Sequence, residues 1–245
     1  MIDYNAFVGR WPFYALPYDN LEELARLHGE NGIDGGYVSS VDSIFYNDFY
    51  DSEYELSKIL EGTPYRHVVT PNPSLVEAPL TLSRCISEFN VKGIRLHPEF
   101  HGFRLTDECV KPILDIARRH KLPIFVTARM HDERVSHIIH PRKIELDEVR
   151  DFVLANGDLK ILLCGFKPEE LVALTPLLLS EDNLFAETSS SRNNLFGKTK
   201  SDYYKKMVFG SGYPLVHVLP GVLRVSELEG EVRDIFFGRG DVFAE

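Results

Sequence analysis

Four arginines, two closely spaced histidines and one carboxylate are the residues of this 245-residue chain best placed to do chemistry. Arg10, Arg95, Arg129 and Arg192 each fall at or just beyond the end of a short apolar run. A planar guanidinium grips a carboxylate through two parallel hydrogen bonds, so convergent arginines point to an anionic ligand. The competing reading pairs each of them with Glu99, Asp132, Glu133 or Glu187 in a structural network. His97 and His101 flank Pro98-Glu99-Phe100, and His131 lies in the polar stretch Arg129 to Lys143, long for a simple connection. Histidine suits proton transfer near neutral pH. His97 and His131, with Asp132 or Glu187 as the orienting or proton-accepting carboxylate, can therefore carry acid–base chemistry without a metal. His97, His101 and Glu187 are also a set that zinc or manganese would accept. Asn5 and the aromatic turn Gly9-Arg10-Trp11-Pro12-Phe13 complete the list: Asn5 to hydrogen-bond a polarised carbonyl, Arg10 as an anion clamp, Trp11 as an apolar wall. Clustered aromatics equally read as packing.

Those residues need elements to hold them. Short β-type runs end at Tyr4, Ser40, Thr70, His97, Thr127, Cys164, Glu187 and Gly210, and helical patterns separate most of them. Leu21 to Glu30 reads as a helix that Asn31-Gly32 stops. Leu80 to Phe89 is amphipathic. Asp107 to His120 carries Val110, Ile113, Leu114 and Ala117 on one face, with Thr106 as the N-cap. Further helices are read over Asp147 to Asn156, capped by Gly157, and over Glu169 to Leu179. The strands are continuously apolar, as parallel strands covered on both faces are. Eight such units in one chain of this length predict a single-domain (β/α)8 barrel over residues 1–245. A doubly wound open sheet is the alternative, although no Gly-rich phosphate loop follows any strand. In a barrel the functional residues belong on the loops after the strands.

Composition excludes some functions. A net charge of −10 disfavours nucleic acid as a partner. The longest apolar run, about Leu171 to Leu179, is roughly half of a bilayer span, and no signal peptide is read. Cys85, Cys109 and Cys164 are scattered and odd in number, which predicts a reducing, cytoplasmic setting rather than a disulfide framework.

Several segments carry a resemblance. Val91-Lys92-Gly93-Ile94-Arg95-Leu96-His97-Pro98, Val208-Phe209-Gly210-Ser211-Gly212-Tyr213-Pro214, Ile2-Asp3 before Asn5 and Phe7, and Val232 to Gly238 run the length of the chain in order. Together they are similar to the amidohydrolase-related family of metal-dependent barrel hydrolases and decarboxylases. The resemblance implies a divalent metal held by a histidine pair after strand one, histidines after strands five and six, and an aspartate after strand eight. Here those positions are Asn5 and Phe7, Thr127, Cys164 or Gly165, and Gly212. Phe7 and Gly212 offer no side-chain ligand, so no cofactor is expected, with zinc or manganese at a relocated site as the alternative. The expected activity is that of a hydrolase or related lyase on a small carboxylated molecule. Arg10, Arg95 and Arg129 would bind the anion, and His97, His131, Asp132 and Glu187 would carry the chemistry. A non-catalytic descendant that binds a small anion or serves as an interaction subunit is the other outcome, and a homo-oligomer stays open.

Overall fold

The computed structural model describes residues 1–130, 142–191 and 202–244. Eight parallel strands follow one another in chain order: β1 Asp3–Val8, β2 Gly36–Ser40, β3 Tyr65–Val69, β4 Val91–Leu96, β5 Ile124–Thr127, β6 Ile161–Cys164, β7 Leu184–Glu187 and β8 Met207–Val208. The ring closes through the main chain. Tyr4 N donates to Phe209 O at 2.9 Å, Gly212 N to Asn5 O at 2.8 Å and Phe7 N to Tyr213 O at 2.8 Å. This is the (β/α)8 barrel expected from the sequence. The helices α1 Leu21–Glu30, α2 Asp42–Phe45, α3 Tyr50–Leu60, α4 Ala78–Glu88, α5 Pro98–His101, α6 Lys111–His120, α7 Leu146–Ala155, α8 Pro168–Ala173, α9 Thr175–Ser180, α10 Val218–Ser226 and α11 Gly230–Gly238 accompany them. Among the described residues no helix is long and apolar enough to cross a membrane.

Local chemistry accounts for the helix boundaries. The Asn20 side chain accepts from Glu23 N and starts α1, and Gly32 takes the left-handed conformation just after it (φ +68°). Two boundaries differ from the sequence reading. The segment predicted to begin at Asp107 enters α6 through a 3-10 turn at Glu108–Val110, and Asp107, rather than Thr106, caps locally by accepting from Arg104 N at 2.7 Å. The single helix predicted over Glu169 to Leu179 is split into α8 and α9 at Leu174, because Pro176 removes an N–H and its ring clashes with the carbonyl four residues back.

Side chains alternate strictly across most strands, which sorts the molecule into shells. Ile94, Leu96, Ile124, Val126, Ile161 and Leu163 point outward and pack under the helices. Inside, Tyr4, Tyr37, Val68, Phe125, Leu162 and Val208 make a floor, which Phe243 completes by edge contacts with the rings of Tyr4, Tyr37 and Phe125. Asp241 anchors that segment by accepting from the hydroxyls of Tyr4 and Tyr37 and pairing with Arg66 at 3.1 Å. One residue further along each strand pair, the inward positions turn polar: Asn5, Ser39, Arg95, Thr127 and Glu187 are all buried. A register irregularity in β1 between Asp3 and Ala6 lets Tyr4 and Asn5 both face the interior. Asn5 and Phe7 thus sit within β1, which continues to Val8, and not on a loop after it as the sequence pattern suggested.

Candidate functional site

Arg95 is the centre of the polar layer. Strand β4 sends Ile94 and Leu96 outward, so Arg95 and His97 point at the barrel axis, both 0% exposed. Arg95 Nε donates to Ser39 Oγ at 2.8 Å, and Nη1 donates to Asn5 Oδ1 at 2.6 Å and Thr127 Oγ1 at 3.2 Å. The Phe7 ring lies 4.4 Å from the guanidinium carbon and that of Phe125 5.1 Å from it. Burial pulls the guanidinium pKa down, and the Cys164 and Glu187 side chains oppose that pull. A guanidinium so far above neutrality keeps its charge. Its Nη2 is buried and has no hydrogen-bond partner among the described residues.

Glu187 at the end of β7 is the counter-charge. Its Oε1 accepts from Gly165 N at 2.6 Å, Ser189 Oγ at 2.7 Å and Asn5 Nδ2 at 3.1 Å, and Oε2 accepts from Ser189 N. Burial raises its carboxyl pKa, against the donors from Ser189 and Gly165. The Asn5 amide therefore bridges the two charges, oxygen to Arg95 and nitrogen to Glu187, which commits it inside the protein rather than to a ligand carbonyl. Gly210 explains a motif residue: a Cβ there would lie 2.2 Å from Glu187 Oε2. Asp3, unnoticed in the sequence, supports the same layer from beneath. Its Oδ1 accepts from Asn5 N and Ser211 N, and its Oδ2 faces His28 Nε2 at 3.1 Å, while Tyr65 OH meets His28 Nδ1. His28, which its place near a helix end seemed to explain, is a buried partner of a strand carboxylate. The signal available was an acidic residue inside an apolar strand.

His97 stands above Arg95 with both ring nitrogens buried and unpartnered among the described residues. Phe7, His101 and Phe100 surround it at ring distances of 6.0, 6.0 and 6.4 Å. Burial, then the neighbouring His101 and Arg95, hold its pKa well below the ordinary value. His101 ties α5 to α2 by donating from Nε2 to Ile44 O at 2.9 Å, and burial brings its pKa down to about 4. Both imidazoles take protons less readily in the folded chain than in the unfolded one. Stability is therefore complete above about pH 6.5 and lost as pH falls towards 4, by about 3 kcal/mol for His101 alone. Urea unfolding at pH 7, 5.5 and 4 checks this: His101→Gln should flatten the slope, and a wild-type profile flat over that window would contradict it.

The remaining expectations divide. Trp11 is buried and packs edge-on against Phe13, Phe45 and Phe100 at 5.3, 5.7 and 6.0 Å, a roof over the mouth of the barrel. The packing reading of this turn is the one the structure supports, although the Trp11 indole N–H is buried without a partner among the described residues. Arg10 is exposed and does not converge with Arg95. Gly9 (φ +114°) turns the chain there so that the Arg10 peptide N–H, not its side chain, faces the Asp42 carboxylate. Arg129 is likewise not free for an anion. It forks onto Glu170 at 2.7 and 2.6 Å and onto Gly165 O at 2.7 Å, bracing β5 against the β6–α8 turn. Its partner is a glutamate that the sequence reading did not name. Cys164 is fully buried, its thiol pKa raised by burial. His131, Asp132 and Arg192 lie outside the described residues.

No sequence family and no curated protein matches the chain. Solved structures do. A candidate amidohydrolase from Staphylococcus aureus is 13% identical with a TM-score of 0.67, over 96% of this chain and 95% of that one. A dihydroxybenzoic acid decarboxylase from Polaromonas, solved with manganese and 2-nitroresorcinol, is 12% identical with a TM-score of 0.69, over 96% and 93%. A 5-carboxyvanillate decarboxylase from Sphingomonas paucimobilis is 11% identical with a TM-score of 0.65, over 97% and 96%. The manganese of the Polaromonas structure raises the question whether this barrel suits a divalent ion. Among the described residues no three His, Cys, Asp or Glu side chains converge. The inward oxygens of Asn5, Ser39 and Thr127 already accept from a fixed cation. The donor set present does not fit a divalent ion in the polar layer. Over its whole length the chain has the fold on which these amidohydrolase-type enzymes and decarboxylases are built.

Proposed function

We propose that the chain is a divergent amidohydrolase-type enzyme that hydrolyses, or cleaves as a lyase, a small carboxylated molecule without a divalent metal. The observation that carries this reading is the group of unpartnered polar atoms at the barrel axis: Arg95 Nη2 and both nitrogens of His97. Burying such groups unpaired costs about 1–3 kcal/mol each, more for a charged one. A bound carboxylate supplies the acceptor that Arg95 Nη2 lacks. The structurally similar decarboxylases act on aromatic carboxylates, and the Phe7 face beside the guanidinium suits a planar ring of that kind. His97, held neutral by burial, is a base ready to accept a proton from water in hydrolysis.

The aromatic roof of Trp11, Phe13, Phe45 and Phe100 favours a second reading, a non-catalytic barrel that retains a small anion. Titration calorimetry with benzoate, 2,6-dihydroxybenzoate and a pyrone dicarboxylate, followed by chromatography of the mixtures, separates the readings. Binding with product supports the enzyme and binding without product supports the second reading. No binding across the panel overturns both.

A further inference from the structure

The positions that the family resemblance assigns to metal ligands after strands one and five are Asn5 and Thr127, and one atom touches both. Arg95 Nη1 lies 2.6 Å from Asn5 Oδ1 and 3.2 Å from Thr127 Oγ1. Ser39 Oγ accepts from Nε of the same group at 2.8 Å. The position after strand eight, Gly212, has no donor and takes the left-handed conformation (φ +71°), and a Cβ there would come to 3.1 Å from that of Ser189. Glu187 supplies the negative charge that a cation at this level needs, joined to it through the Asn5 amide. The Phe7 ring, at the position of the second strand-one ligand, presents its face to the guanidinium at 4.4 Å.

We infer that the Arg95 guanidinium is itself the cation of this site, supplied by the chain in place of a divalent ion, with Nη2 as the edge that meets a ligand oxygen. Every inward oxygen within reach faces the guanidinium. The aromatic face of Phe7 offers a cation–π contact where a metal would want a nitrogen. The arrangement differs from a metal site in what it can do. A guanidinium binds a carboxylate by hydrogen bonds and charge, and it presents no open coordination position to water. The Nη2 edge rests on the proposed binding of a carboxylate, while the replacement of the metal does not.

The test uses the purified full chain. Wild type is dialysed against manganese and against zinc, and its metal content is measured by mass spectrometry alongside its melting temperature with and without EDTA. The expected result is metal content far below one per chain and no EDTA effect. About one metal per chain, lost in Glu187→Gln, would overturn the inference. The affinity of benzoate is then compared between wild type, Arg95→Lys and Arg95→Met. The expected loss is about ten- to a hundredfold in Arg95→Met, with partial retention in Arg95→Lys. Affinity in Arg95→Met within about twofold of wild type would also overturn it. The wild-type metal measurement decides even if the variants fail to fold. Metal-free protein that binds no carboxylate sinks the functional reading alone, and carboxylate binding that requires added manganese sinks this inference alone.

Discussion

Replacing Glu187 by Ala is expected to lower the free energy of unfolding by about 3–5 kcal/mol, which urea denaturation followed by circular dichroism would read. The size comes from what the carboxylate does. It is 1% exposed and takes donors from Gly165, Ser189 and Asn5. Truncation strands them all in a space water does not reach, and it leaves the Arg95 charge without its counterpart. The double variant Glu187→Ala with Arg95→Met should cost less than the sum of the two single changes, because it removes both charges together. Strictly additive effects, or a single-variant cost under about 1 kcal/mol, would mean that the Asn5 bridge does not couple the two groups.

The second large effect is on chemistry. His97→Ala is expected to slow turnover of the carboxylated substrate by about 10²–10⁴-fold while changing benzoate affinity only a few fold. The imidazole touches no protein partner, so its removal should spare the fold more than the loss of Glu187 does. It lies beside Arg95, so it can reach a molecule held there. Because burial keeps the ring neutral, the wild-type rate should be level through the neutral range and fall only in acid. Persistent turnover in the variant would remove His97 from the chemistry.

Much of the fold is legible in the sequence for one physical reason: parallel strands buried on both faces are written as apolar runs, and helices between them as apolar stripes. All eight strands lie where those runs stand. Helix α3 is the instructive failure. Its buried face includes Ser52 and Glu53, so the stripe that announces a helix is broken by polar residues with buried partners. The site divides along similar lines. Arg95, His97 and Glu187 stand out because each interrupts an apolar strand at an inward position. Arg10 and Arg129 look the same in one dimension and are not. The partner of Arg129 lies 41 residues away, and nothing local tells a paired arginine from a free one. The Asp3–His28 pair was hidden likewise, its members joined only by the fold.

The floor of the barrel has a consequence in time. Tyr4 lies in the first strand, yet the residues that seal it from below, Asp241 and Phe243, are 237 and more positions later. Synthesis at about 5–20 residues per second separates the two by some tens of seconds, roughly twelve at the fastest. For that interval two tyrosine hydroxyls and a ring of aromatic side chains wait open at one end of a growing sheet. Helices formed from local contacts can dock in the meantime, whereas this end must wait for long-range closure. The nascent chain therefore passes through a stage in which the polar layer around Arg95 is reached by water from below, and the last contact made also dries the centre of the molecule.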